Sequence, residues 1–523
     1  MIQTQELDKQ EEDGNASRIV AFHDSHNASV CEIKNKEIVY VQESERLDGI
    51  KKSKNIEILI EKYANQHIEK IIYVSTHLKK DLNLLKFFLK KYNITYNVLK
   101  NYHKHHFFHA CSAYYKSGFD QSYVLVADGS GKTNEDKTEI VSCYYFKKNK
   151  YKKIFKLYQT TEDKIYNKKE VGINTFSIGN TFQFYKRVMN YKEPGSIMGL
   201  SCYSNLKQNN LFVECNHHFR INTLLLYDSI SSKDSLNTSS LIQKSSEKVI
   251  LQYVKNIIKN KNRNLCVSGG VFQNTVVNSK ILNICSNLYV DPFADDSGLS
   301  VGASLFELNK KEHVNKKINT LYLGDNPDYS FLVNKKSKNI NYDDVAKLIE
   351  QGNIIAVYQG RNELGKRALG NRSFLFDPRD HSAKEKINLL KEREWFRPTA
   401  GTVLYEYRNE WFDLKSKDET PFMSYVFKVK NNKNIPGITH VDNTCRIQTL
   451  KKEQNYHYYN LIHAFYKRTG VPILLNTSFN LAGQPLVNDG FQAARVMTHY
   501  KNKDLCNYLY LPELGKLYNK EDL

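Results

Sequence analysis

Short runs rich in β-branched and aromatic residues, RIVAF (18–22), SVCEI (29–33) and EIVYVQ (37–42), follow one another with only HDSHNA and KNK between them. That spacing predicts strands joined by two hairpin-like connections. Segments 55–67 and 80–92 then carry apolar residues at helical spacing around a further strand, KIIYVS (70–75). YVLVADGSGK (123–132) reads as a buried strand running into an acidic, glycine-bearing loop. NLCVSGGVFQNTVVNSKIL (264–282) predicts strand, Gly-Gly turn and helix, and NLYVDPFADDSGLSVGASLFEL (287–308) repeats the plan around an acidic loop. Strands alternating with helices imply α/β layers, with both turns placed to face one ligand. Residues 313–342 are polar and irregular, after which a helix (343–350) and a strand (354–358) begin anew. The division expected is a flexible tail (1–17), one unit from 18 to 333 and a second from 334 to 523.

A chain of 523 residues has room for about two to four domains. Hydrophobic residues at 41% and charged ones at 25% exclude a disordered polymer. No apolar run approaches the ~18 residues of a membrane helix, and the start is polar and acidic where a signal peptide is basic and then apolar. A cytoplasmic protein without a membrane partner is expected. The 9 cysteines are odd in number, scattered and free of C-x-x-C spacing, so a disulfide framework is not expected. The net charge of +20 invites a nucleic-acid partner, but the lysines are spread along the whole chain and no nucleic-acid-binding motif accompanies them.

Arginine is distributed differently. Eight of the chain's 15 arginines lie between Arg361 and Arg446, six of them within Gly360 to Pro398. The guanidinium fork grips carboxylate or phosphate bidentately, whereas lysine is a point charge, so the concentration asks for an anion. Pairing with structural carboxylates is the bland alternative.

His105 and His109 lie four apart in HHFFHACSAYYKSG, whose pattern suits a helix, so both project from one face. Neutral imidazoles with carboxylates from strand ends make a mixed N/O set for iron, zinc, copper or nickel, and Asp128 and Asp296 are the candidates. His106 would point elsewhere. The Ser268-Gly269-Gly270 turn and Gly179-Asn180 would let backbone amides approach phosphates, although neither matches a Walker loop or a dinucleotide fingerprint.

In order, HDSHNASV, QESERLDGIKKSK, HHFFHACSAYY, VADGSG, SIGNTFQFY, EPGSIMGLSCYS, VSGGVFQN, DDSGLSVGAS, GRNELGKRALGNRS, REWFRP, THVDNTCRIQT and GVPILLNTSFN resemble the family of nodulation protein U and the cephalosporin and tobramycin O-carbamoyltransferases. The resemblance runs from about residue 18 to the end. It implies an actin-like ATPase (ASKHA) N-terminal domain similar to tRNA threonylcarbamoyl transferases, and an α/β YrdC-like C-terminal domain similar to threonylcarbamoyl-AMP synthases. It further implies that the C-terminal domain makes carbamoyl-adenylate from carbamoyl phosphate and ATP, and that the N-terminal domain transfers the carbamoyl group to a hydroxyl of a sugar or natural product.

By the same resemblance, His105, His109, Asp128 and Asp296 would hold a metal, iron(II) or another divalent ion, and Mg2+ would accompany ATP. Gly179, Asn180, Ser268, Gly269, Gly270 and Asn274 match nucleotide-lining stretches. His26 and Lys51 match segments that contact the adenylate, with His26 slightly preferred over His23 as the base and Asp24 orienting the acceptor. Arg367, Lys391, Arg397, Arg446, Asn476 and Ser478 match positions that hold carbamoyl phosphate and the ATP phosphates, with Arg361 and Arg372 in support. A homodimer is compatible with the family. The chain departs from the family's usual GPRALG at Lys366 and from MGLAPYG at MGLSCYS (198–204). A tRNA-directed threonylcarbamoyl transferase and a non-catalytic nucleotide-binding protein are the alternative classes.

Overall fold

The computed structural model describes residues 18–523 except 76–79, 133–137, 160–176, 208–209, 216–217, 222–224, 226–227, 229–233, 260–262, 311, 431–433 and 500–504. The tail expected at residues 1–17 lies outside the described residues. Strands β1 (Arg18–His23), β2 (Ser29–Lys34), β3 (Glu37–Glu43), β4 (His67–Val74) and β5 (Thr95–Tyr102) form one sheet in the order β3-β2-β1-β4-β5. β2 runs antiparallel to both β1 and β3, whereas β4 pairs parallel with β1 and β5. Asn35 and Lys36 close the β2–β3 hairpin with φ of 50° and 68°. That left-handed pair matches the twist of two flanking strands.

The plan then repeats. β6 (Gln121–Lys132), β7 (Thr138–Lys147) and β8 (Lys150–Gln159) form an antiparallel run, and after a small hairpin of β9 (Phe212–Cys215) and β10 (His218–Ile221) the chain adds β11 (Leu265–Ser268) and β12 (Leu288–Val290). β11 pairs parallel with β6 and β12, so the order β8-β7-β6-β11-β12 reproduces the first sheet strand for strand. Two copies of this plan are the actin-like ATPase arrangement. Helices His105–Tyr115 and Gly298–Leu308 follow the last strand of each copy and pack on each other. Their approach is close enough that a Cβ on Gly302 would lie 1.9 Å from the carbonyl oxygen of Phe108.

A third sheet of ten strands comprises β13 (Lys338–Asn339), β14 (Ile355–Tyr358), β15 (Arg372–Phe376), β16 (Ala400–Leu404), β17 (Phe412–Asp413), β18 (Val426–Val429), β19 (Thr444–Leu450), β20 (Ile473–Ser478), β21 (Tyr508–Leu511) and β22 (Lys516–Asn519). Its centre, β14-β15-β20-β16, is buried along almost its whole length, with neighbours pairing antiparallel and with Arg372, Thr402 and Asn476 as polar residues inside it. The GKRALG loop connects β14 to β15. The helix expected over 55–67 is confined to Glu57–Glu61, because β4 starts at His67 and pairs there with Thr95. Strand pairing has overridden a local helical period. The cysteines with described side chains are free, and among the described residues no helix is long and apolar enough to cross a membrane.

Candidate active site

Helix His105–Tyr115 carries both histidines on the face turned to the strand ends of the second sheet. Asp128 sits near the end of β6, and Asp296 in the loop before Gly298–Leu308. One ligand atom from each of His105, His109, Asp128 and Asp296 lies within 4.8 Å of the others. His105 Nε2 is 3.2 Å from Asp128 Oδ2 and 3.6 Å from Asp296 Oδ1, while His109 Nε2 is 3.7 Å and 3.6 Å from the same two oxygens. Burial alone would lower the His109 pKa, but the facing carboxylates outweigh it and push the imidazole up to about 10. Two carboxylates thus converge where positive charge is required. A divalent cation meets that requirement with this donor set, and the buried His109 Nε2 has no hydrogen-bond partner among the described residues.

The surroundings orient these ligands. Ser268 Oγ donates to Asp291 Oδ2 at 3.1 Å, so its lone pairs are left to accept from His109 Nδ1 at 3.5 Å, and Lys116 Nζ holds Asp291 Oδ1 at 2.7 Å. With a cation in place of the imidazolium proton, this would select the tautomer whose Nε2 lone pair faces the site. Asp128 Oδ1 accepts from the backbone amides of Gly129 and Gly270 at 2.7 and 3.1 Å, which leaves Oδ2 for the histidines. The glycines permit this crowding: a Cβ on Gly179 would lie 2.7 Å from Gly129 Cα, and one on Gly269 (φ +95°) 2.3 Å from Ala127 O. Asn180 N bonds the Ser177 cap and Asn274 Oδ1 caps the helix Thr275–Leu282, so both asparagines are fixed by helix starts. His106 turns away, its Nδ1 2.8 Å from Ser142 Oγ.

The two histidines of HDSHNA are separated by burial. His23 is fully enclosed, neither ring nitrogen has a hydrogen-bond partner among the described residues, and burial drives its pKa down to about 3 despite Asp296. His26 is half exposed, lines the cavity described below and places Nε2 3.2 Å from Asp296 Oδ2. Asp24 Oδ2 accepts from the Tyr73 hydroxyl at 2.6 Å, outside the cavity lining. Lys51 contacts Glu193 on the cavity wall.

The arginine-rich stretch divides. Arg367, Arg397 and Arg446, with Lys391, Asn476 and Ser478, line the cavity, and so does Arg393, which the motif reading passed over. Lys391 Nζ donates to the Ser478 carbonyl at 2.6 Å, and Asn476 Nδ2 to the Ala368 carbonyl at 3.2 Å, tying β20 to the loops around it. Burial and then mutual repulsion depress the cations here, to about 9 at Arg393 and about 10 at Arg446. A guanidinium stays protonated in proteins, so the depression records buried positive charge that Glu394 and Glu193 offset only in part. Arg393 Nη2 and Arg446 Nε are accordingly buried without hydrogen-bond partners among the described residues. Arg361 and Arg372 lie outside this cluster: Arg361 is bonded to the carbonyls of Val39, Leu323 and Gly324, and Arg372 to those of Gln359, Gly360, Asn371 and Val487. Arg379 and Arg408 pair with Asp377 and Asp418. Pairing with structural carboxylates therefore accounts for Arg379 and Arg408, whereas Arg361 and Arg372 are absorbed by backbone carbonyls.

Both clusters open into one cavity of about 570 Å³. Its wall includes His26, Lys51, Asp128, Gly179, Asn180, Gly270, Asn274 and Asp296 from the part of the chain that builds the first two sheets, and the arginines, Lys391, Asn476 and Ser478 from the part that builds the third.

Comparison with known proteins settles the class. Residues 38–305 match the model for the carbamoyltransferase N-terminus and residues 346–511 the model for the carbamoyltransferase C-terminus. The chain belongs to the carbamoyltransferase family. This carbamoyltransferase is 33% identical over 447 residues to nodulation protein NolNO of Sinorhizobium fredii, covering 77% of the chain and 62% of that relative, so under two thirds of the latter's length is spanned. It is 31% identical over 232 residues to the 3'-hydroxymethylcephem-O-carbamoyltransferase of Amycolatopsis lactamdurans, covering 43% and 44% of the two chains. Among solved structures, full-length HypF in its phosphate- and nucleotide-bound form aligns over 58% of the carbamoyltransferase and 57% of its own chain, with a TM-score of 0.42 and 13% identity.

Proposed function

We propose that this carbamoyltransferase is an ATP-dependent O-carbamoyltransferase whose acceptor is a hydroxyl of a sugar or natural product. The observation that carries the reading is the single cavity joining a cluster of anion-seeking guanidinium groups to a His/Asp cluster. In the first half-reaction water releases phosphate from carbamoyl phosphate, and a carbamate oxygen attacks the α-phosphorus of ATP, expelling pyrophosphate. Arg367, Lys391, Arg397, Arg446, Asn476 and Ser478 hold the phosphoryl groups, with Mg2+ accompanying ATP. Converging cations stabilise the charge that develops in such transfers, and planar forks fix the line of attack.

In the second half-reaction the acceptor oxygen bonds to the carbamoyl carbon, the bond from that carbon to the adenylate oxygen breaks, and AMP leaves. His26 takes the acceptor's proton, a role supported by its exposure in the cavity, whereas the enclosure of His23 disfavours charge there. Lys51 steadies the leaving adenylate, and Gly179, Asn180, Gly270 and Asn274 line the nucleotide, with Ser268 and Gly269 supporting that turn and Asp24 supporting the acceptor segment from outside the cavity lining. His105, His109, Asp128 and Asp296 would hold iron(II), which supplies Lewis-acid neutralisation of the nucleotide phosphate. Residues 18–333 form the transfer unit and 334–523 the adenylating unit. Enclosure protects a reactive mixed anhydride from bulk water.

The test is phosphate and pyrophosphate release from ATP and carbamoyl phosphate by metal-reconstituted protein. Release of both, dependent on carbamoyl phosphate, is expected. Pyrophosphate release that ignores carbamoyl phosphate, or none from folded protein, overturns the proposal.

A further inference from the structure

Between the two clusters the cavity wall carries carboxylates where an anion would have to pass. Glu45 and Asp295 line the wall, with Glu43 buried behind them at 1% exposure. One lysine from the other unit is placed among them. Lys366 Nζ lies 2.7 Å from Asp295 Oδ2, 3.8 Å from Glu45 Oε1 and 4.0 Å from Glu43 Oε1. Arg46 completes the group, with Nε 3.3 Å from Glu43 Oε2 and Nη2 donating to Gly365 O at 3.1 Å. Three carboxylates thus share two cations.

The positions of the partners in the chain matter as much as their charges. Asp295 immediately precedes Asp296 of the His/Asp cluster, and Lys366 immediately precedes Arg367 of the arginine cluster. On either side of the pair the Lys366 loop makes further contacts: a Cβ on Gly365 (φ +81°) would lie 2.9 Å from Pro292 O of the Asp295 loop, and Arg367 Nη2 donates at 3.0 Å to Gln273 O of the turn that follows β11. The loop bearing Arg367 is therefore seated on the loop bearing Asp296.

We propose that Lys366 is a positioning residue that holds the two ends of the cavity in register and masks Glu45 and Asp295, so that an anionic intermediate crosses between the ends without leaking. This rests on the reading given under Proposed function. Without the ammonium, three buried carboxylates face one another with Arg46 alone to balance them, and like charges so placed repel both each other and a passing adenylate. A seam loosened by that repulsion admits water to the enclosed intermediate, so the loss is expected in retention and not in the first step.

The test measures pyrophosphate release from ATP and carbamoyl phosphate with no acceptor present. In the wild-type protein a burst of pyrophosphate should be followed by slow release, since the intermediate is retained. Lys366→Met should keep the burst but raise the slow rate about tenfold, as the intermediate escapes to water, and Lys366→Arg should restore retention. A merely destabilising change would lower the burst and the slow rate together. Asp295→Asn breaks the same pair from the other side and serves if Lys366→Met does not fold. Wild-type-like slow release in both folded variants overturns the inference while leaving the proposed reaction intact. Absence of a carbamoyl phosphate-dependent burst in wild type overturns the reaction and the inference together.

Discussion

Arg393 and Arg446 bury guanidinium nitrogens that nothing among the described residues satisfies, a costly arrangement unless an anion arrives. Arg446→Ala should therefore reduce carbamoyl phosphate-dependent pyrophosphate release by about 10²-fold or more while leaving, or even raising, the melting temperature, because it relieves uncompensated charge. His23 makes an opposite, structural prediction. Its folded pKa of about 3 lies below the unfolded value of 6.5, so the unfolded chain binds the extra proton between those limits. Its contribution to stability is complete above about pH 6.5 and is lost as pH falls toward 3. His23→Asn should flatten the acid limb of stability in metal-free protein, measured by denaturant unfolding at pH 7 and pH 4.5. At this scale the sequence was readable where spacing is local. His105 and His109 announce a shared face by being four apart, whereas the Ser268–Asp291–Lys116 chain behind them joins residues from three elements and leaves no local trace. Arg393 lay in view within the arginine-rich stretch, but charge density alone does not distinguish it from Arg361 and Arg372, which carbonyl groups absorb.

Among elements, the contact between helices His105–Tyr115 and Gly298–Leu308 fixes where the histidines stand relative to Asp296. Gly302→Ala forces a methyl against the Phe108 carbonyl, and the helices must separate. Overpacking of this kind costs about 1–3 kcal/mol or more, so the variant should melt earlier and bind divalent metal more weakly. Metal titration of the folded variant checks the second effect, and unchanged affinity would show that the helix pair does not set the cluster's geometry. Gly179→Ala should act more locally, pressing on Gly129 and the loop after Asp128, with a larger loss in nucleotide affinity than in stability. Most strands were legible from their composition. The helix over 55–67 was not, because Tyr63 and Ala64 continue its apolar spacing while Asn65 turns left-handed (φ 57°) and β4 claims His67 for its pairing with β5.

Taken whole, the molecule sets a His/Asp cluster and a cluster of arginines against one cavity. The repeated sheet order could not be read from composition: β11 reaches back to β6 across more than a hundred residues, and pairing at that distance leaves no periodic signal. What could be read was the motif order along the chain, which carried the family and its two-part plan. If the parts act in sequence, losses at one end should spare the reaction at the other. The decisive measurement is carbamoyl phosphate-dependent pyrophosphate release by wild type, Arg397→Ala and His109→Ala in the first turnover. The account predicts that Arg397→Ala loses the burst while His109→Ala retains it and fails only in transfer. A retained burst in folded Arg397→Ala, or a lost one in folded His109→Ala, would contradict the division of labour between the two ends of the cavity.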